Sequence, residues 1–257
     1  MRLSSETVIV IPCYNEEKRL PLVDFTTYFS SNPSVLFLFV NDGSKDNTIG
    51  VLQTLQESYI NVQVLDIKVN QGKANAVREG FLYALSNFSF NYIGYFDADL
   101  ATPLYEIQRF LTYFLAEPKL QMVVGSRVRR MGADIDRNTK RHIFGRVFAT
   151  LASSTLLLPI YDTQCGAKMF IHSLAQDIFQ EHFSSKWLFD VEIFARVALN
   201  IGYPEVKLAI LEHPLEFWFE KGDSRIKGKD FLIFPIDLMK IYRKYHRKLK
   251  KNKKISQ

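Results

Sequence analysis

The chain has only two cysteines in 257 residues, Cys13 and Cys165. They are too few and too far apart for a disulfide framework or a cysteine-built metal centre, so both are expected as reduced, packed thiols. No apolar run reaches the roughly 20 residues that a membrane-spanning helix needs. The nearest, Val147 to Tyr161, is interrupted by Ser153, Ser154, Thr155 and Pro159 and reads as a buried or interfacial helix. A secretory leader is not expected, because the amino terminus enters an apolar strand almost at once and lacks a small-residue cleavage site; the protein is placed in the cytoplasm. Neither G-x-G-x-x-G nor G-x-x-x-x-G-K-[ST] follows a strand, which argues against a nicotinamide or flavin dehydrogenase and against a P-loop enzyme. Internal repeats are lacking, and the one biased segment is the Lys-rich end.

Acids are missing from that end altogether. Nine of the 33 Lys and Arg residues lie between Lys240 and Lys254, and without them the net charge of +6 would turn negative. The basic character is a local device, which argues against a nucleic-acid partner and for attraction to one surface. A helix starting at Pro235 would carry Leu238, Ile241, Tyr242, Tyr245 and Leu249 as an apolar stripe, with Lys240, Arg243, Lys244, Arg247, Lys248 and Lys251 largely opposite. Such a helix either lies on an anionic membrane surface, as a peripheral anchor, or packs on the rest of the fold.

What is present in quantity is apolar sequence, 47% of residues, cut into short runs. Thr7 to Pro12, Val35 to Asn41, Val62 to Ile67 and Ile93 to Phe96 read as buried strands, alternating with helices over Glu16 to Ser30, Asp46 to Tyr59 and Lys73 to Ser86. A helix over Leu104 to Leu115 and a strand at Met122 to Val124 continue the series. This βαβ rhythm implies a Rossmann-like α/β fold with a mostly parallel sheet flanked by helices. Beyond Arg127 the rhythm weakens: Arg127 to Arg141 reads as a loop, followed by a helix through Leu158, an extended Asp162 to Phe170, helices from Ser173 and over Asp190 to Asn200, and a strand-like Val206 to Phe219. A single domain is expected, with a nucleotide-binding half (1–127), an acceptor half (128–230) and a basic carboxyl-terminal helix and tail (231–257).

Polar chemistry gathers where the strands end. Pro12-Cys13-Tyr14-Asn15-Glu16-Glu17, Asn41-Asp42-Gly43-Ser44 and Asn70-Gln71-Gly72-Lys73 follow the first three strands, and Asp97-Ala98-Asp99 follows the fourth. Ligands of open α/β sheets bind at the carboxyl ends of the strands. Two carboxylates one residue apart suit Mg²⁺ or Mn²⁺, whose shells are completed by water and substrate phosphates; the alternative is a corner that hydrogen-bonds its own backbone.

Together, VIVIPCYNEE, VNDGSKDNT, NQGKANAVREG, YFDADLATP and VVGSR resemble the family 2 glycosyltransferases of the GT-A fold. DTQCGAKMF and WLFDVEIFAR resemble the branch that makes polyprenyl-phosphate sugars, especially the dolichyl-phosphate β-glucosyltransferases. The resemblance implies that the nucleoside lies across Pro12, Tyr14, Glu16 and Asp42, with Asp42 accepting a hydrogen bond from the base. It also implies that Asp97 and Asp99 hold the metal and diphosphate. Lys73, near a helix amino terminus, adds positive charge beside phosphate or is simply solvated.

The implied reaction is an inverting, metal-dependent transfer of a hexose, foremost glucose from UDP-glucose, to a polyprenyl phosphate at the cytosolic membrane face. A lipid phosphate is already a nucleophile and needs cations rather than a base. Arg127 and Arg141 are the candidate cations of the loop, and Asp162 and Gln164 the further candidates for the acceptor. Asp190 is either the base that a hydroxyl acceptor would require or the cap of its helix. The alternatives are extension of a glycan hydroxyl and a non-catalytic nucleotide-sugar-binding protein.

Overall fold

The computed structural model of the chain describes residues 3–136, 139–219 and 230–255. In chain order its main elements are β1 (Thr7–Cys13), α1 (Leu22–Ser31), β2 (Val35–Asp42), α2 (Thr48–Ser58), β3 (Val62–Ile67), α3 (Lys73–Asn87), β4 (Tyr92–Phe96), α4 (Glu106–Ala116) and β5 (Met122–Ser126). They continue as β6 (Asp134–Asp136), α5 (Thr139–Leu156), β7 (Ala167–Ile171), α6 (His172–Ile178), α7 (Phe189–Ile201), β8 (Ile210–Pro214), β9 (Phe217–Phe219), α8 (Asp230–Ile241), a π-helical segment (Tyr242–His246) and α9 (Arg247–Ile255). Two compact units result. The first takes the chain up to Leu100 with Leu104–Ile107 and Gly166–His182; the second takes Ala101–Pro103, Gln108–Cys165 and the chain from Phe183 onward.

In the first unit the strand order is β7-β4-β1-β2-β3. β1 pairs in parallel with β2 and β4, and β2 with β3. Every residue of β2 is buried, as a continuous apolar run in a parallel sheet requires. Phe25 and Phe29 of α1 pack edge-on or tilted against Phe37 and Phe39 of β2, with ring centroids as close as 4.8 Å. Each such buried ring stabilises the fold by about 1.5–3 kcal/mol. α1 starts at Leu22 rather than Glu16. Glu16 to Leu20 forms a separate turn in which the N–H groups of Arg19 and Leu20 donate to Glu16 O, and Pro21 then stands at the helix entrance.

β7 is the exception to the parallel pattern: it runs antiparallel to β4, with Tyr92 opposite Ile171 and Phe96 opposite Ala167. That pairing carries Gly166 to the end of β4. The second unit contains two parallel pairs, β5 with β8 and β6 with β9. The expected Arg127–Arg141 loop therefore holds a short strand, whose partner is too distant in sequence to leave a local signal.

The carboxyl-terminal helix begins before Pro235, which lies inside α8. Leu238, Ile241, Tyr245 and Leu249 are all buried in the second unit, and only Tyr242 of the expected stripe is exposed. Of the two arrangements open to this helix, the structure has the packed one. A fully buried carboxylate, Glu192 of α7, fastens it. Glu192 Oε1 accepts hydrogen bonds from Tyr245 Oη at 2.6 Å, Lys244 Nζ at 3.0 Å and Arg196 at 3.1 Å, while Oε2 accepts the Ser184 N–H at 2.7 Å. Burial alone would raise the carboxyl's pKa, but the donors from Tyr245, Ser184 and Lys244, with the charge of Arg196, outweigh it and hold the pKa below the ordinary value.

Candidate functional site

The first unit assembles its polar residues by lacing one strand end to the next. After β1, the Asn15 N–H donates to Ser44 Oγ at 2.9 Å and the Glu16 N–H to Thr48 Oγ1 at 2.7 Å; in return the Lys45 N–H donates to Asn15 Oδ1 at 2.8 Å. Glu16 is buried, its carboxylate 3.8 Å from Arg19 Nε, whereas Pro12 and Tyr14 are partly exposed. Gly43 adopts a φ of +61°, the left-handed turn that a glycine makes without strain, and a β-carbon there would strike the backbone of Val69 and Asn70.

Asp42 holds the next loop. Its Oδ1 accepts the Gln71 N–H at 2.9 Å, and its Oδ2 accepts the Gly72 N–H at 2.8 Å and Asn70 Nδ2 at 3.0 Å. The buried carboxylate thus fixes the entrance to α3 and with it the position of Lys73. Since each carboxylate oxygen offers two lone-pair directions, Oδ1 retains one for a further donor.

Lys73 reaches Asp97. The two form an ion pair, and each side chain keeps about a third of its surface exposed, 31% and 33%, so a ligand can reach both. Asp97 to Leu100 forms a tight turn in which the Leu100 N–H donates to Asp97 O at 3.1 Å. Leu100 takes a φ of +52°, a costly conformation for a bulky residue and of the kind that gathers at functional sites. The Asp97 N–H donates to Gly166 O at 3.0 Å, and a β-carbon on Gly166 would fall on the Asp97 carboxylate. The glycine of the DTQCG stretch is therefore the floor on which Asp97 rests.

In the second unit Arg127 leaves β5 and meets Asp162 side-on. Its Nε donates at 2.6 Å and its Nη2 at 2.8 Å to the two carboxylate oxygens, and its own N–H adds a third bond at 3.1 Å. The guanidinium lies 5.2 Å from the ring centroid of Trp218. Asp162 also accepts the Gln164 N–H at 3.0 Å, whereas Gln164 Nε2 is a buried donor without a hydrogen-bond partner among the described residues, which leaves it available to a ligand or water.

Comparison with known proteins gives this arrangement its context. The family model described as "Glycosyl transferase family 2" matches residues 8–179. The chain belongs to that family. Within it, the chain falls in the branch of the dolichyl-phosphate β-glucosyltransferases: ALG5C of Trichomonas vaginalis is 32% identical over 247 residues, covering 91% of this chain and 70% of that protein. The human dolichyl-phosphate β-glucosyltransferase is 30% identical over 251 residues, covering 89% and 74%. Among solved structures, glucosyl-3-phosphoglycerate synthase from Mycobacterium tuberculosis, in complex with Mn²⁺, UDP and glucosyl-3-phosphoglycerate, matches 92% of this chain and 78% of its own, with a TM-score of 0.66 and 14% identity. At that identity the likeness is one of fold, the α/β GT-A fold of a glycosyltransferase.

The glycosyltransferase holds its expected nucleotide-side residues, Pro12, Tyr14, Glu16, Asp42, Lys73, Asp97 and Asp99, in the first unit. Arg127, Asp162, Gln164 and Asp190 belong to the second. The side chain of Arg141 lies outside the described residues, while Arg129 and Arg130 are exposed. Asp190 is not a cap. It is the second residue of α7, buried, and the preceding cap position is Leu188, whose N–H is taken by Ser185 Oγ at 2.9 Å.

A divalent metal can be tested against the donor set. Among the described residues no group of three His, Cys, Asp or Glu side chains is placed to hold an ion. Asp97 and Asp99 are hard, partly exposed oxygen donors, which fits an ion that arrives with its substrate and takes most of its shell from phosphate and water, and does not fit a resident ion in an all-protein cage.

Two residues of this neighbourhood escaped sequence reasoning. Glu212 of β8 accepts the Tyr161 N–H at 2.8 Å and the Asp162 N–H at 2.9 Å, so it sets the backbone from which Asp162 grips Arg127. Burial, together with the negative charge of Asp162, pushes its carboxyl pKa up. Arg146 of α5 stacks 3.6 Å from the Tyr161 ring centroid and donates to Tyr161 O at 2.9 Å. The single acid of the strand Ile210–Pro214 was the available signal for Glu212; Arg146 had none.

Proposed function

We propose that this glycosyltransferase moves glucose from UDP-glucose to a polyprenyl phosphate with inversion at the anomeric carbon. The observation that carries the proposal is the similarity, along 91% and 89% of the chain, to proteins named dolichyl-phosphate β-glucosyltransferases. A synthase of the same fold, crystallised with Mn²⁺ and UDP-glucose, is in keeping with this donor and with a divalent ion.

An oxygen of the lipid phosphate attacks the anomeric carbon as the bond from that carbon to the diphosphate breaks, and the electron pair departs with UDP. No proton has to be removed from such a nucleophile, so a general base is not needed. Asp97 and Asp99 would hold the ion, which when bound offsets the charge that grows on the departing diphosphate. Lys73 exchanges its carboxylate partner for phosphate oxygens and adds a second positive charge there. Asp42 holds the loop before α3, and its remaining lone pair suits the N–H edge of uracil. Arg127, fixed by Asp162 and Glu212, sets the polar floor of the acceptor side.

A glycan hydroxyl is the second reading, favoured by one observation: the charge of Arg127 is already compensated by Asp162. Product analysis separates the two. With UDP-glucose, UDP-galactose and GDP-mannose offered alongside a short polyprenyl phosphate and an oligosaccharide, the expected product is the β-glucosyl phosphate from UDP-glucose. Transfer to the oligosaccharide alone, with loss of that activity in Asp190→Asn, would replace the proposal by the second reading.

A further inference from the structure

Burial of the expected stripe leaves a different apolar face on the outside of the second unit. Ile233, Ile236 and Met239 follow one another at three-residue steps along α8 and are 41%, 57% and 50% exposed, which places them along one side of the helix. On α5, Val147 and Leu151 stand one turn apart and are 57% and 54% exposed. The two helices touch: the rings of Phe148 and Phe234 lie 6.1 Å apart, and further along His246 Nδ1 is 2.9 Å from Thr155 O. Scattered exposed apolar residues need no explanation, but a set shared by two neighbouring helices does.

What adjoins this face is basic. Lys240 follows Ile236 by four residues, Arg243 follows Met239 by four, and Arg247 lies a turn beyond; all three are exposed. From these placements we infer that the α5–α8 face docks on an anionic lipid bilayer, with Ile236, Met239, Val147 and Leu151 entering the headgroup boundary and Arg243 and Arg247 meeting the lipid phosphates. A second copy of the chain is a poorer occupant, since a two-fold contact would set this basic cluster against or beside its own image. The surface stands on its own geometry; its purpose, to bring the enzyme to a lipid-borne acceptor, rests on the proposed function.

Sedimentation with vesicles tests it, using mixed phosphatidylserine and phosphatidylcholine against phosphatidylcholine alone. The intact protein should bind the anionic vesicles far better. Arg243→Gln with Arg247→Gln should weaken that binding roughly 30-fold, at about fivefold for each basic residue. Ile236→Asn with Met239→Asn should weaken it about tenfold, while Ile60→Asn, on an exposed residue of the first unit, should change nothing. In all three variants, turnover on a detergent-dispersed short-chain acceptor should match the unaltered protein. Absence of vesicle binding by the intact chain would overturn the inference. So would binding that neither pair of substitutions reduces, or a dimer in solution that the Ile236 and Met239 pair dissolves. Vesicle binding that follows the expected pattern in a protein without glucosyl transfer would leave the surface standing and remove only the proposed function.

Discussion

Gly166→Ala alters no functional group, yet it should cripple the enzyme. Gly166 is outside the left-handed backbone region, so conformation does not explain why a glycine is there. Space does: an added β-carbon would occupy the position of the Asp97 carboxylate. The side chain must then swing away from Lys73 and from the diphosphate position, or β7 must move from β4. A displacement of about 1 Å at a reacting centre costs about 100-fold in rate, equivalent to about 2.7 kcal/mol in the barrier. The assay is turnover at saturating UDP-glucose, in a double-mutant cycle with Asp97→Ala. Gly166→Ala alone should lose about 100-fold; in the Asp97→Ala background, where the obstructed carboxylate is gone, it should cost almost nothing further. Unchanged turnover in the single variant, or losses that simply multiply, would refute the account of Gly166 as the floor beneath Asp97.

Asp42→Asn places an amide against the N–H groups of Gln71 and Gly72, so donor affinity should fall by about tenfold or more in a UDP titration, from loss of charge-assisted hydrogen bonds valued at about 1.5–3 kcal/mol. Arg127→Ala leaves Asp162 buried without its main partner and should destabilise the protein by about 3–5 kcal/mol in denaturant unfolding, more than any exposed arginine of the loop. Glu212→Gln should lower acceptor-side efficiency with UDP affinity unchanged, because it loosens the backbone that carries Asp162, a residue of the acceptor side; an equal fall in UDP affinity would contradict that role. Glu192 governs acid stability. Its folded pKa lies below the ordinary 4.5, so its contribution is present above that value and is lost as pH falls through the folded pKa. Glu192→Gln should flatten the unfolding temperature against pH in that acid range, and Tyr245→Phe should cost about 1–3 kcal/mol at neutral pH.

The first-half elements were legible because each strand is a short, mainly apolar run and the helices between them have a period of their own. Val62–Ile67 has the expected bounds, and Lys73 opens its helix as expected. The second half was harder for identifiable reasons. β6 exists only through its pairing with β9, and the Arg127–Asp162 fork joins residues 35 positions apart. The D-x-D corner was visible; Gly166, which seats it, was not, because nothing local marks a glycine that serves another strand's carboxylate. At the carboxyl terminus, periodicity gave one apolar stripe, Leu238 to Leu249, and left open whether it met a membrane surface or the rest of the fold. Helical spacing alone does not say what a stripe packs against; the bonds from Tyr245 and Lys244 to Glu192, far off in the sequence, show that this one packs on the second unit.

The Glu192 fastening also changes what the basic end is. Two of its donors, Tyr245 and Lys244, lie in the same segment that supplies the positive charge, so the tail is a keystone rather than an appendage. Cutting the chain before the π-helical segment strips an ionised carboxylate of two donors and uncovers the flank of α7, the helix that bears Asp190. A shortened protein would report on the integrity of its second unit before it reported on where the enzyme resides. Questions of location in this enzyme therefore call for substitutions on the outer surface, which leave the keystone in place.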